Sequence, residues 1–106
     1  MQIYGFDISS KKIDVGFKDE TGEKRHKVIK NNFQSIIKYF NSLPKENVVL
    51  CAEYTGVYRD LLVQLAYIFN LPISLMPGYE IKHSLGLSKG KSDLLDAHRI
   101  REYGER

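Results

Sequence analysis

From residue 12 to 18 the chain alternates strictly, with Ile13, Val15 and Phe17 apolar and mostly charged residues between them. A period of two predicts a strand buried on one face and wet on the other. Residues 3–8 are apolar on both faces except at Asp7, which predicts a more central strand. Ser9-Ser10-Lys11 is a tight connection between the two. Asp19-Glu20-Thr21-Gly22 is a second turn, with Gly22 free to take positive φ before residues 25–30 pair back. The first thirty residues therefore predict a three-stranded antiparallel meander.

The period then changes to about 3.6. Phe33, Ile36, Ile37 and Phe40 mark one helical face, with Asn31 or Asn32 as N-cap and Leu43-Pro44 as the stop. Residues 48–53 form a continuous apolar strand ending in Glu53. Residues 58–69 form a strongly apolar helix closed by Asn70, and residues 72–76 a short strand. Strand, helix and strand at these lengths make a right-handed parallel βαβ unit. Residues 77–91 are irregular and basic. Ser92 can cap a last helix, on which Asp93, Asp96, Ala97 and Ile100 fall at i, i+3, i+4 and i+7 on one face. The order of elements is that of an α/β, ribonuclease H-like fold: a mixed five-stranded sheet, three antiparallel strands and then the parallel unit, flanked by helices. In that architecture the first strand lies beside the fourth.

Composition narrows the class without naming an activity. The 106 residues suit one domain, and 42% hydrophobic with 27% charged is ordinary globular material. A net charge of +3 permits an anionic partner without requiring one. Cys51, the lone cysteine, sits in an apolar run and reads as core, which fits a reducing, cytoplasmic setting. The longest apolar segment, residues 61–76, is interrupted by Gln64, Asn70 and Pro72, so no membrane span is expected. No signal peptide, repeat or linker is visible.

Four acids end or begin segments that otherwise read as core: Asp7, Glu53, Asp93 and Asp96. An ionised carboxylate there needs a cation, a base or an altered titration. Magnesium takes oxygen ligands, and a two-metal site aligns attacking and leaving oxygens on phosphorus. Crowded carboxylates repel one another, and ion binding relieves that repulsion. The plainer readings are solvated or capping acids at the strand ends for Asp7 and Glu53, and a first-turn acid that stabilises its helix for Asp93. Asp14 falls on the wet face of its strand and is expected to be plain surface, outside the site.

Other candidates are weaker. Thr55-Gly56 could cradle a phosphate, but Gly56 more simply permits the strand-to-helix turn. Tyr58, at helical spacing with Leu61, Leu62 and Leu65, is expected in the core. Lys82, Lys89 and Lys91 could line a nucleic-acid track, against a nearly as good reading as a solvated loop. Lys24-Arg25-His26-Lys27 is a charge run at a turn, expected to be solvated, with phosphate contact the lesser reading. His83 and His98 have no metal-ligand spacing with a partner.

Gly5-Phe6-Asp7-Ile8-Ser9, then Glu53-Tyr54-Thr55-Gly56-Val57-Tyr58 in the pattern Glu-x-Thr-Gly-x-Tyr, then Lys91-Ser92-Asp93 with Asp96-Ala97, resemble the amino-terminal domain of the DEDD transposases, the Piv-like recombinases of insertion sequences. The resemblance covers essentially the whole chain. It implies a RuvC-like nuclease fold, Mg2+ (or Mn2+) at Asp7, Glu53, Asp93 and Asp96, and DNA strand transfer between transposon ends and target. It also implies a guide or bridge RNA and a homo-oligomer, a dimer or higher. Ser92 stands where many relatives have threonine, and Met76-Pro77-Gly78 replaces the more usual Asn-Pro. The family's carboxy-terminal domain, with its proposed nucleophilic serine, is expected to be missing from residues 1–106, leaving the domain catalytically incomplete by itself. Competing expectations are a stand-alone nuclease of the Holliday-junction-resolvase kind, a nucleotide-binding fragment of the actin and sugar-kinase fold, and a metal-free nucleic-acid-binding module. The actin-type reading lacks glycine-rich phosphate loops and a second lobe.

Overall fold

Two hairpin turns fold the first thirty residues into the expected meander in a computed structural model, which describes residues 1–53, 57–76 and 93–105, with side chains for all of these except 57 and 93–96. Strands β1 (Gln2–Ile8), β2 (Lys12–Lys18) and β3 (Lys24–Lys30) pair antiparallel in sequence. At the second turn the Asp19 carboxylate accepts from the amides of Thr21 at 2.9 Å and Glu23 at 3.1 Å, and Gly22 takes φ +84°. Only glycine adopts that conformation without strain.

Helix α1 (Phe33–Ser42) begins at Asn32, whose side chain accepts from the Ser35 amide at 2.8 Å, and stops at Leu43 before Pro44. Strand β4 (Val48–Glu53) returns parallel to β1. A 3-10 turn (Val57–Arg59) then leads into helix α2 (Asp60–Ile68), which ends where Asn70 adopts φ 57°. Strand β5 (Ile73–Met76) joins β4 in parallel, giving the order β3-β2-β1-β4-β5 with β1 at the centre. Helix α3 (Asp93–Gly104) closes the described chain.

The sheet is covered on both faces. On one, Tyr4, Phe6, Ile13, Val15, Leu50 and Ala52 pack with Ile36, Tyr39 and Phe40 of α1 and Leu62, Leu65 and Ala66 of α2. Fully burying one such large side chain is worth roughly 1.5–3 kcal/mol, so this cluster carries most of the stability. On the other face, Cys51 and Met76 pack with Ile100 of α3. Helix α3 lies directly on β1 and β2. A Cβ at Gly5 would run into the Ala97 carbonyl and stand 2.5 Å from the Arg101 nitrogen, and one at Gly16 would stand 2.9 Å from the His98 nitrogen. Two glycines thus let helix backbone rest on strand backbone.

This packing corrects two expectations. Asp14 is not plain surface: it is 3% exposed, because α3 covers the face of β2 that its alternation marks as wet. Tyr58 is not core. It is 53% exposed, since the 3-10 turn holding it breaks the helical phase that would group it with Leu62 and Leu65. Among the described residues, no helix is long and apolar enough to cross a membrane.

Candidate metal centre

Parallel pairing of β1 with β4 sets Phe6 opposite Ala52. One residue further along both strands, Asp7 and Glu53 come abreast at the carboxyl ends of neighbouring central strands, with about 5 Å between strand axes. Both are half-buried. On the sheet face that carries Asp7 and Glu53 lie also Gly5 and Cys51, the positions α3 covers.

Helix α3 runs toward the same end. A Cβ at Gly104 would meet the Cys51 sulfur and Ile3, whereas Ala97 and Arg101 lie over Gly5. As its numbering falls, the helix therefore crosses from Cys51 and Ile3 past Gly5 toward Gly16 of β2, and its first turn heads toward the Asp7 end of the sheet. Ala97 and Ile100 are buried, 0% and 2% exposed, and mark the helical face that meets the sheet. Among the described side chains, no three His, Cys, Asp or Glu stand close enough together to hold a metal ion. Lys82, Lys89, Lys91, His83, Ser92 and the Thr55-Gly56 turn lie outside the described residues.

Sequence reasoning missed Asp14. It is the cross-strand partner of Asp7 and sits under α3. Nε2 of His26 donates to its carboxylate at 2.9 Å, and the Lys12 ammonium stands 3.2 Å away. His26 remains exposed, as expected of the charge run, while its ring reaches the buried Asp14. The legible signal was Gly16, two residues on along the same face, paired with Gly5 across the strands: glycines at neighbouring positions mark a close approach.

Beneath α3 the buried polar groups are satisfied in a chain. Arg101 is 0% exposed; its Nε donates to His98 Nδ1 at 3.2 Å and its Nη1 to Glu105 at 2.6 Å. Burial, reinforced by the Arg101 charge, pushes the His98 imidazole below its usual range and keeps it neutral, as its role as acceptor requires. Lys24 of β3 reaches Glu102 at 3.4 Å and ties the helix to the sheet edge.

A family model for transposases, of the DEDD type found in IS110 elements, matches residues 4–106. The chain belongs to the DEDD transposase family. Its fold is similar to that of Thermus thermophilus RuvC, with a TM-score of 0.62 at 15% identity, covering 95% of this chain and 91% of that one. At such low identity the likeness establishes the fold alone, a RuvC-like member of the ribonuclease H-like class. No curated protein matches the chain. Membership of the transposase family together with this fold makes the chain a transposase or nuclease domain in the general sense, with DNA as the substrate class.

Proposed function

We propose that this DEDD transposase domain binds Mg2+, with Mn2+ as a substitute, through Asp7, Glu53, Asp93 and Asp96, and uses that centre to cut DNA phosphodiesters and transfer the strand. The observation that carries the reading is the register of β1 on β4, which sets Asp7 beside Glu53 at the end toward which the first turn of α3 runs. The donor set fits the ion: two half-buried carboxylates on adjacent strands are hard oxygen ligands, too few by themselves, and α3 contributes two more.

When bound, divalent ions supply charge stabilisation at phosphorus and alignment of the attacking and leaving oxygens. The chain's own residues provide the frame. Strands β1 and β4, bonded along their length, hold Asp7 and Glu53 in fixed relation. Gly5 and Gly16 let α3 settle close enough for its acids to approach them. The Asp14, His26 and Lys12 cluster braces the strand on the far side of Asp7. In this reading Lys82, Lys89 and Lys91 track the DNA or a guide RNA, and pairs of DNA ends are served by a homo-oligomer.

Isothermal calorimetry with MgCl2 or MnCl2, beside thermal melts, tests the centre. The native chain is expected to give binding heat and a raised Tm, and Asp7→Asn and Glu53→Gln to lose both. No heat and no stabilisation of the native chain sinks the metal reading. Labelled DNA then separates chemistries: cleavage without rejoining by residues 1–106 alone favours a plain nuclease.

A further inference from the structure

Beyond the acids, the edge of the sheet carries a second feature that the proposed chemistry leaves unused. A cleft of about 370 Å³ runs between β3 and α1, lined by Lys27, Val28 and Lys30 from the strand and Ser35, Lys38 and Tyr39 from the helix. The neighbouring cations are neutralised: Lys24 pairs with Glu102, and Arg25 with Asp19 at 2.7 Å and Glu23 at 3.6 Å. Lys27, Lys30 and Lys38 are exposed, and among the described residues no carboxylate pairs with any of them. Two unneutralised lysines, Lys27 and Lys38, thus face this cleft from two elements, and Lys30, on the other face of the edge strand, borders it.

We infer that this cleft holds the phosphate backbone of duplex DNA flanking the strand presented to the acids. The inference rests on the reading of Asp7 and its partners as a DNA-cutting centre, because position along the sheet is part of the argument. Asp7 pairs with Asp14, and Asp14 with Val28, so the middle of the cleft-lining strand is level with Asp7 two strands away, roughly 10 Å in the plane of the sheet. At about 3.4 Å of duplex axis per nucleotide, that is a step of some three nucleotides. Because the cleft lies on the α1 face and Asp7 on the α3 face, DNA held at both bends round the β3 edge.

Charge selects the occupant. A second copy docking by strand addition would bring Lys24, Lys27 and Lys30 of two β3 strands together, and facing like charges oppose that pairing. Edge lysines commonly serve only to deter such pairing, but Lys38 lies on α1, off the strand, and that role does not account for it. A polyanion satisfies all three lysines.

The test is anisotropy titration of fluorescent duplex DNA in EDTA over a salt series, with the native chain and the triple variant Lys27→Gln, Lys30→Gln and Lys38→Gln. Removing three phosphate contacts is expected to flatten the log K against log salt slope by about 2.7 and to weaken binding roughly 100-fold at 0.15 M salt. Melting temperature and Mg2+ heat stay native, which excludes misfolding. The inference is overturned if slope and affinity are unchanged. It is overturned equally if Lys18→Gln with Lys45→Gln, exposed lysines elsewhere, lowers the slope as much per charge. Loss of RNA binding with duplex DNA binding retained makes the occupant RNA and refutes the DNA assignment. Absence of Mg2+ heat from the native chain counts against the metal centre alone, since binding here is read without metal.

Discussion

Replacing Gly5 by alanine adds one methyl group where β1 supports α3. That methyl would collide with the Ala97 carbonyl and stand 2.5 Å from the Arg101 nitrogen and 3.0 Å from the Arg101 Cα. All three neighbours are backbone, so no side-chain rotation relieves the contact. Restoring ordinary contact near 3.4 Å requires α3 to retreat by roughly 1 Å or more, the Ala97 carbonyl being nearest, and a gap of about 1 Å forfeits up to half of the dispersion energy of each contact it opens. Ala97, Ile100 and Arg101, all buried, lose contacts of this kind. Overpacking of this sort costs about 3 kcal/mol at the upper end of its usual range. Gly5 has ordinary extended backbone, so alanine returns about 0.4–1 kcal/mol by restricting the unfolded chain. The net loss is about 2 kcal/mol, which lowers Tm by roughly 8–16 °C in a domain of this size. Thermal and urea unfolding followed by circular dichroism measure it. A Gly5→Ala protein within about 0.5 kcal/mol of native, or more stable, refutes the backbone-on-backbone seat of α3 and with it the route by which Asp93 and Asp96 reach β1.

Other outcomes follow from the groups under α3 and beside it. Arg101→Ala leaves a cavity and strips the partner from Glu105, and is expected to lose about 3 kcal/mol in urea unfolding, with Arg101→Met losing less; equal losses would mean that packing of the side-chain stem contributes nothing. His98 titrates lower folded than unfolded, so its contribution is present above its unfolded value, near pH 6.5, and is lost as pH falls through the depressed folded value. His98→Gln should therefore flatten the decline in stability from pH 7 to pH 5, and an unchanged profile would place the acid sensitivity elsewhere. Burial, and to a lesser degree the Glu105 charge, pushes the Cys51 thiol up to about 11 from an ordinary value of 9.0. Native Cys51 should react with a thiol reagent at pH 8 far more slowly than the unfolded chain, and its stabilising contribution should fade only as pH rises from about 9 to about 11. Equal rates in native and unfolded protein would contradict its burial.

The amino-acid sequence by itself determined every feature that depends on local period and chain order. Alternation marked β2, the change to a 3.6 period marked α1, Asn31 or Asn32 and Leu43-Pro44 bounded that helix, and the order of elements set β1 between β2 and β4. Asp7 and Glu53 could therefore be assigned to neighbouring strand ends before any coordinates, since a ribonuclease H-like order of elements sets the first strand beside the fourth. Tertiary structure alone decided what covers each face. The alternation of β2 is the same whether its polar side meets water or a helix, so the burial of Asp14 became visible only once α3 was seen lying on Gly5 and Gly16. The exposure of Tyr58 likewise depends on a 3-10 turn whose phase no helical wheel anticipates. The lysine cleft needed α1 set against the β3 edge, because Lys27, Lys30 and Lys38 share no period. Local sequence codes for elements, whereas the faces they present to one another are set by contacts between residues far apart in the chain.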